Sequence, residues 1–76
     1  MKIGINSMSG GKIELDVSKD DTILDLKYKI EPYTNLDVNQ QVLIFSGKTL
    51  KNTDTIEKSN ISDNMTISLV ISLRGG

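Results

Sequence analysis

Thr22-Ile23-Leu24-Asp25-Leu26-Lys27-Tyr28-Lys29-Ile30-Glu31 is the stretch of this chain whose apolar residues recur with a clear helical period. Ile23, Leu26 and Ile30 fall at i, i+3 and i+7, a single stripe for a single core. Thr22, with Asp25 three residues on, resembles a capping box in which Asp takes the role more often filled by Glu or Gln. Asp25 and Lys29, and Lys27 and Glu31, stand four apart and are read as in the favourable order, each pair expected to add about 0.2–0.5 kcal/mol. Pro32 has no N–H and disfavours a helical Glu31, so the helix is expected to end near Glu31 or to finish in a distorted turn. Asn35 is able to take the left-handed conformation that closes such an end.

On either side of this helix the period changes to two. Before it, Met1, Ile3 and Ile5 alternate with Lys2, Gly4 and Asn6, and Ile13, Leu15 and Val17 alternate with polar residues after the Gly-rich turn Met8-Ser9-Gly10-Gly11. These runs read as an antiparallel hairpin. After it, Gln40 to Phe45 is an apolar-rich strand, Ser46-Gly47 a turn, and Lys48 to Leu50 a short strand. Lys51 to Met65 is polar with two apolar anchors, Ile56 and Ile61, and reads as loop with a short helical turn near Ile56 to Ser59. The last strand runs from Thr66 to Ser72, with Ile67, Leu69 and Ile71 alternating with Ser68, Val70 and Ser72. The order strand, strand, helix, strand, short strand, strand predicts an α+β roll, a mixed sheet of about five strands on one helix.

Seventy-six residues make one domain with one modest core. The chain has no Cys and no His, which leaves no thiol nucleophile, no disulfide and no imidazole for general acid–base work. Nine basic and ten acidic residues leave a net charge of −1 and no basic stripe for nucleic acid or an anionic membrane. No apolar run has the length of a membrane span, and no signal peptide opens the chain, so the expected compartment is cytosol or nucleus. No cofactor is expected.

Leu73-Arg74-Gly75-Gly76 closes the sequence. Its two glycines offer no side chain to pack, so residues 73–76 are expected to form a flexible tail on a domain spanning 1–72. The chemical handle of such a tail is its carboxylate, and a slim end suits a narrow active-site cleft. Taken alone, the tail reads equally as a frayed end.

With the lone helix, Leu43-Ile44-Phe45-x-Gly47-Lys48 and this tail in place, the sequence resembles the ubiquitin family of protein modifiers, without gaps over its whole length. Asp21-Thr22-Ile23, Lys27-x-Lys29-Ile30, Gln40-Gln41, Asn60-Ile61 and Leu69-Val70 carry the resemblance further. It implies a β-grasp fold. It also implies a substrate rather than an enzyme: the carboxylate of Gly76 is adenylated with ATP by an activating enzyme, passed as a thioester to a conjugating enzyme and joined to a target lysine, with Gly75, Arg74 and Leu73 in the recognised tail. The implied partners are activating, conjugating and ligating enzymes, deconjugating proteases, ubiquitin-binding domains and target proteins, with the chain itself a monomer. The family's recognition patch maps onto Met8, Ile44 and Val70. Alternation independently places Ile44 and Val70 on the outer face of the sheet, although single exposed apolar residues are ordinary. A second patch maps onto Met8, Leu36, Ile71 and Leu73. Lys48, Lys29 and Lys27 match family lysines able to accept a further modifier, whereas Asn6, Gly11, Tyr33 and Asp63 stand where other acceptors would.

The departures bear on specificity. Position 72 is Ser, where ubiquitin carries Arg and Rub/Nedd-type relatives a small residue, and the family's activating enzymes read that position. Ser68 replaces a His, Val42 an Arg and Gly4 an aromatic residue. Asn52 removes the acidic partner of Lys27. Asp37-Val38 replaces Pro-Pro while Pro32 enters the helix, so residues 31–40 are expected to be reshaped. Two other functions share features of the fold: a non-conjugated binding module that uses the patch alone, and a sulfur carrier with a Gly-Gly end.

Overall fold

The structure, a computed structural model, describes residues 1–7 and 10–72. Five strands form one sheet: β1 (Lys2–Ser7), β2 (Lys12–Asp16), β3 (Gln41–Phe45), β4 (Lys48–Thr49) and β5 (Thr66–Ile71). Their spatial order is β2-β1-β5-β3-β4. The central pair β1 and β5 is parallel and the other pairings are antiparallel, giving the mixed sheet expected. Helix α1 (Ile23–Thr34) packs on one face. Ile23, Leu26 and Ile30 are fully buried there against Ile3, Ile5, Leu43, Ile56 and Ile67. The stripe seen in the sequence is therefore the helix's contribution to the core.

The helix begins as expected. Thr22 Oγ1 accepts from the Asp25 N–H at 3.1 Å, and the Asp25 carboxylate accepts from the Thr22 N–H at 3.1 Å. Its end differs: α1 continues past Pro32 to Thr34. Pro32 has no N–H to donate to the Tyr28 carbonyl four residues back, so one helical bond is missing, while the turn that follows is bonded to later carbonyls. The Thr34 hydroxyl donates to the Ile30 carbonyl at 3.2 Å, and the Asn35 N–H donates to the Glu31 carbonyl at 2.8 Å. Asn35 closes the helix at φ 57°, the left-handed conformation predicted for it. Neither predicted i,i+4 pair forms among the described residues. Lys29 reaches back instead, donating to the Asp16 carbonyl at 3.0 Å and lying 3.4 Å from Asp21 Oδ2. Lys27 is buried, and its pairing with Glu31 would also place the cation first, the weaker order.

Three further local results were not legible from the periodicity. A 3-10 turn, Val38–Gln40, precedes β3 and buries Val38; the Asp37 N–H donates to the Gln40 side chain at 3.1 Å, an Asp-x-x-Gln signal present in the sequence. Gly4 lies on the outer face as alternation requires, yet is buried, because the Lys12 side chain crosses over it. Met1, placed inward by alternation, is exposed at the end of the sheet.

The Ser46-Gly47 turn is a two-residue hairpin with both residues at positive φ, 54° and 77°, the twist that matches the strands on either side. The segment after β4 is fixed to the start of the helix: the Ile23 N–H donates to the Asp54 carbonyl and the Ile56 N–H to the Asp21 carbonyl, both at 2.8 Å. Ile56 and Ile61 are buried as the two anchors of this segment, and the Ser59 N–H to Thr55 carbonyl bond marks the expected helical turn.

Candidate functional site

The sheet has one face on the core and one face in solvent, and the register of β3 with β5 determines what the outer face displays. Leu43 pairs with Leu69 and both point inward, fully buried. The residues between them point outward. Val42 sits opposite Val70, and Ile44 opposite Ser68, so Val42, Val70 and Ile44 form a contiguous half-buried apolar group. Sequence alternation had brought Ile44 and Val70 to this face. The pairing of Val42 with Val70 comes from register, which no local signal encodes. Met8 lies outside the described residues.

Ser72 continues β5 on the side of Val70. Its N–H donates to the Gln40 carbonyl at 2.7 Å, which ties the last described residue to the start of β3. Leu73, Arg74, Gly75 and Gly76, and with them the expected flexibility of the tail, lie outside the described residues.

Leu36 and Ile71 come together in a groove of about 330 Å³ at the end of the sheet beneath the helix C-terminus. Ile71 continues the inward alternation of β5 but lies beyond the core and is 44% exposed. Ile13, Leu69 and Tyr33 are also among the lining residues, and sequence reading alone does not bring these three to the groove. Gln41, only 2% exposed, braces this region: its Nε2 donates to the Lys27 carbonyl at 2.9 Å and the Leu36 carbonyl at 3.1 Å.

The three matching lysines stand in different environments. Lys48 is exposed on β4 and makes no ion pair among the described residues. Lys29 is held by Asp16 and Asp21, as above. In return Asp21 is held below the usual carboxylate range, first by the Ser18 N–H at 3.0 Å and then by Lys29. Lys27 is 7% exposed, and burial lowers its pKa from the ordinary lysine value. No carboxylate pairs with it among the described residues, and Asn52 offers none.

That last arrangement has a measurable consequence. A lysine whose folded pKa lies below its unfolded value is an unfavourable charge in the folded state at neutral pH. The penalty falls as pH rises from the folded pKa toward the unfolded one. Lys27→Met keeps the stem length and removes the charge. It is expected to raise stability at neutral pH by about 1 kcal/mol and to flatten the alkaline rise. Urea melts at neutral pH and near the lysine range check it; a loss of stability in the variant would show that the amine has a favourable partner.

A mixed β2-β1-β5-β3-β4 sheet on one helix, with an apolar group on its free face, defines a ubiquitin-like β-grasp protein. The chain matches the ubiquitin family over residues 3–74 and belongs to it. It is 30% identical over 76 residues to ubiquitin-like protein 1 of Schizosaccharomyces pombe, covering all of this chain and 97% of that one. It is 32% identical over 76 residues to the ubiquitin-like protein NEDD8 of Dictyostelium discoideum, covering 99% of that protein. It is also similar to one segment of longer proteins: 34% identical over 70 residues to ubiquilin of Dictyostelium discoideum, spanning 13% of that chain. Proteins of this fold are generally modifiers or binding modules rather than enzymes.

Proposed function

We propose that this chain is a ubiquitin-like protein modifier. Its Gly76 carboxylate is activated and joined through an isopeptide bond to lysines of target proteins, and partners read it through Ile44, Val70 and Val42 on the outer face. The observation that carries this reading is the end-to-end match to two relatives of nearly the same length, together with the Leu73-Arg74-Gly75-Gly76 ending. In this reading the chain is the substrate and the catalytic groups belong to its activating, conjugating and ligating enzymes, in the cytosol and nucleus. Lys48 is the best placed of the three matching lysines to accept a second modifier, since Lys29 is engaged and Lys27 is buried.

The similarity to ubiquilin favours a second reading, a non-conjugated binding module that uses the apolar group alone. The two are separated by incubating the chain with ATP, magnesium and the activating and conjugating enzymes of its source, then running a gel without reductant. A reductant-sensitive adduct supports the modifier; its absence alongside intact patch binding supports the module.

Ser72 directs which activating enzyme is suited. An enzyme that pairs an acidic pocket with Arg loses a charge-assisted contact worth about 1.5–3 kcal/mol when it meets Ser. That is a loss of roughly 10- to 150-fold. A ubiquitin-type activating enzyme is expected to charge this chain poorly, and Ser72→Arg to improve charging. Thioester formation rates for both chains decide the point; no gain on introducing Arg would remove Ser72 as the selecting residue.

A further inference from the structure

Charge is segregated along this chain. Residues 14–37 hold seven of its ten carboxylates, whereas residues 38–53 hold none and contribute Lys48 and Lys51. The fold adds Lys58 to the basic side through the turn that follows Thr55, where the Lys58 N–H donates to Thr55 Oγ1 at 3.0 Å. Lys48, Lys51 and Lys58 surround a basin of about 280 Å³ between the β3–β4 hairpin and this turn. Phe45 and Leu50, partly buried and packed on the core, form its apolar wall. Asp54 is the one carboxylate among the lining residues, and it lies 3.8 Å from Lys58. Three lysines against one aspartate leave a positive surface in a chain whose net charge is −1.

Dispersed surface lysines are merely solvated. Here they converge on a concavity with an aromatic wall, where Asp54 is the one lining carboxylate to offset three cations. We propose that this basin docks an acidic peptide segment carrying one aromatic side chain, its ring against Phe45 and Leu50 and its flanking carboxylates on Lys48, Lys51 and Lys58. The ring supplies apolar contact and edge-to-face packing. The carboxylates supply orientation and an association that weakens with salt. Phe45 belongs to the inward-pointing set of β3 and Ile44 to the outward one, so the basin and the outer apolar group lie on opposite faces of the strand. The inference therefore stands apart from the modifier reading and does not depend on it.

The test is a titration of the full ¹⁵N-labelled chain with the end-blocked peptide Asp-Glu-Phe-Glu-Asp, followed by amide chemical shifts. Controls are Lys-Lys-Phe-Lys-Lys and Asp-Glu-Ala-Glu-Asp. The acidic aromatic peptide is expected to shift Thr49, Leu50, Lys51, Ser59 and Asn60 saturably, with the basic peptide inert and the alanine peptide weaker. Lys51→Glu with Lys58→Glu, both exposed positions, is expected to weaken binding by on the order of tenfold or more while keeping a dispersed amide spectrum. Raising salt from about 0.05 to about 0.5 M is expected to act in the same direction. Lys51→Gln alone gives a milder variant with the same expected sign. Absence of saturable shifts at these amides, equal shifts from the basic peptide, or undiminished binding by the charge-reversed chain would each overturn the assignment.

Discussion

Leu43→Ala is expected to lower the free energy of unfolding by about 2–5 kcal/mol, and Ile44→Ala, one residue on, by about 1 kcal/mol. Both residues lie on β3 and both are apolar. What separates them is the pleat. Leu43 is fully buried and faces Leu69 within the core, where removing three side-chain carbons leaves a cavity that surrounding side chains fill only in part. Ile44 is half-buried on the free face opposite Ser68, where water replaces the lost atoms. Domains are stable by about 5–15 kcal/mol, and a chain this short lies near the lower end, so the Leu43 variant stands to lose much of its margin. Urea melts of the two variants read the difference directly. Equal destabilisation would mean that the two faces of β3 have been assigned wrongly. Ile44→Ala should nevertheless weaken binding of ubiquitin-recognising domains, an effect that a purely structural residue would not show.

Removing Gly75 and Gly76 is expected to abolish conjugation while leaving the melt unchanged. On the modifier reading the tail carries the reacting group, and Gly76 is the residue at which the acyl bond forms. A free carboxylate is a poor acyl donor, so it must be activated before an amine attacks it. Gly76→Ala adds a single methyl at that acyl centre, where small positioning errors have large kinetic effects. The alanine variant should therefore fold normally and transfer poorly to lysine. Each chain is incubated with ATP, magnesium and the source enzymes and resolved without reductant. An equally abundant adduct from the chain lacking Gly75 and Gly76 would refute attachment through this end.

Much of the architecture was legible because its signals are local. The helical stripe Ile23, Leu26 and Ile30, its Thr22–Asp25 cap and the Asn35 closure each depend on neighbours within a few residues. The two hairpins announce themselves by alternation and by turns whose glycines accept positive φ, as Gly47 does at 77°. At two places in the helix the sequence reading differed from the structure. Pro32 does not end the helix: it costs the bond to the Tyr28 carbonyl, and the helix runs on to Thr34, whose hydroxyl donates to the Ile30 carbonyl, before Asn35 closes it on the Glu31 carbonyl. Lys29 does not pair with Asp25; its amine donates instead to the Asp16 carbonyl at the end of β2 and lies beside Asp21 in the turn before the helix.

The candidate surfaces divide along the same line. Sequence alone determined that one core forms on one helix, that Ile44 and Val70 point away from it, and that Leu73-Arg74-Gly75-Gly76 follows the last strand; alternation and composition are properties of the chain itself. Only the tertiary structure decided that Val42 stands opposite Val70, that Leu36 and Ile71 share a groove with Ile13 and Tyr33, and that Lys48, Lys51 and Lys58 converge on Phe45. Those relations join residues far apart in the sequence, and their geometry is set by strand register and by how the connecting segments close over the core. A one-residue slip in β3 would keep every propensity intact and send Leu43 to solvent and Ile44 inward, which is why burial of the whole core, and no single stretch, fixes the surfaces this protein presents.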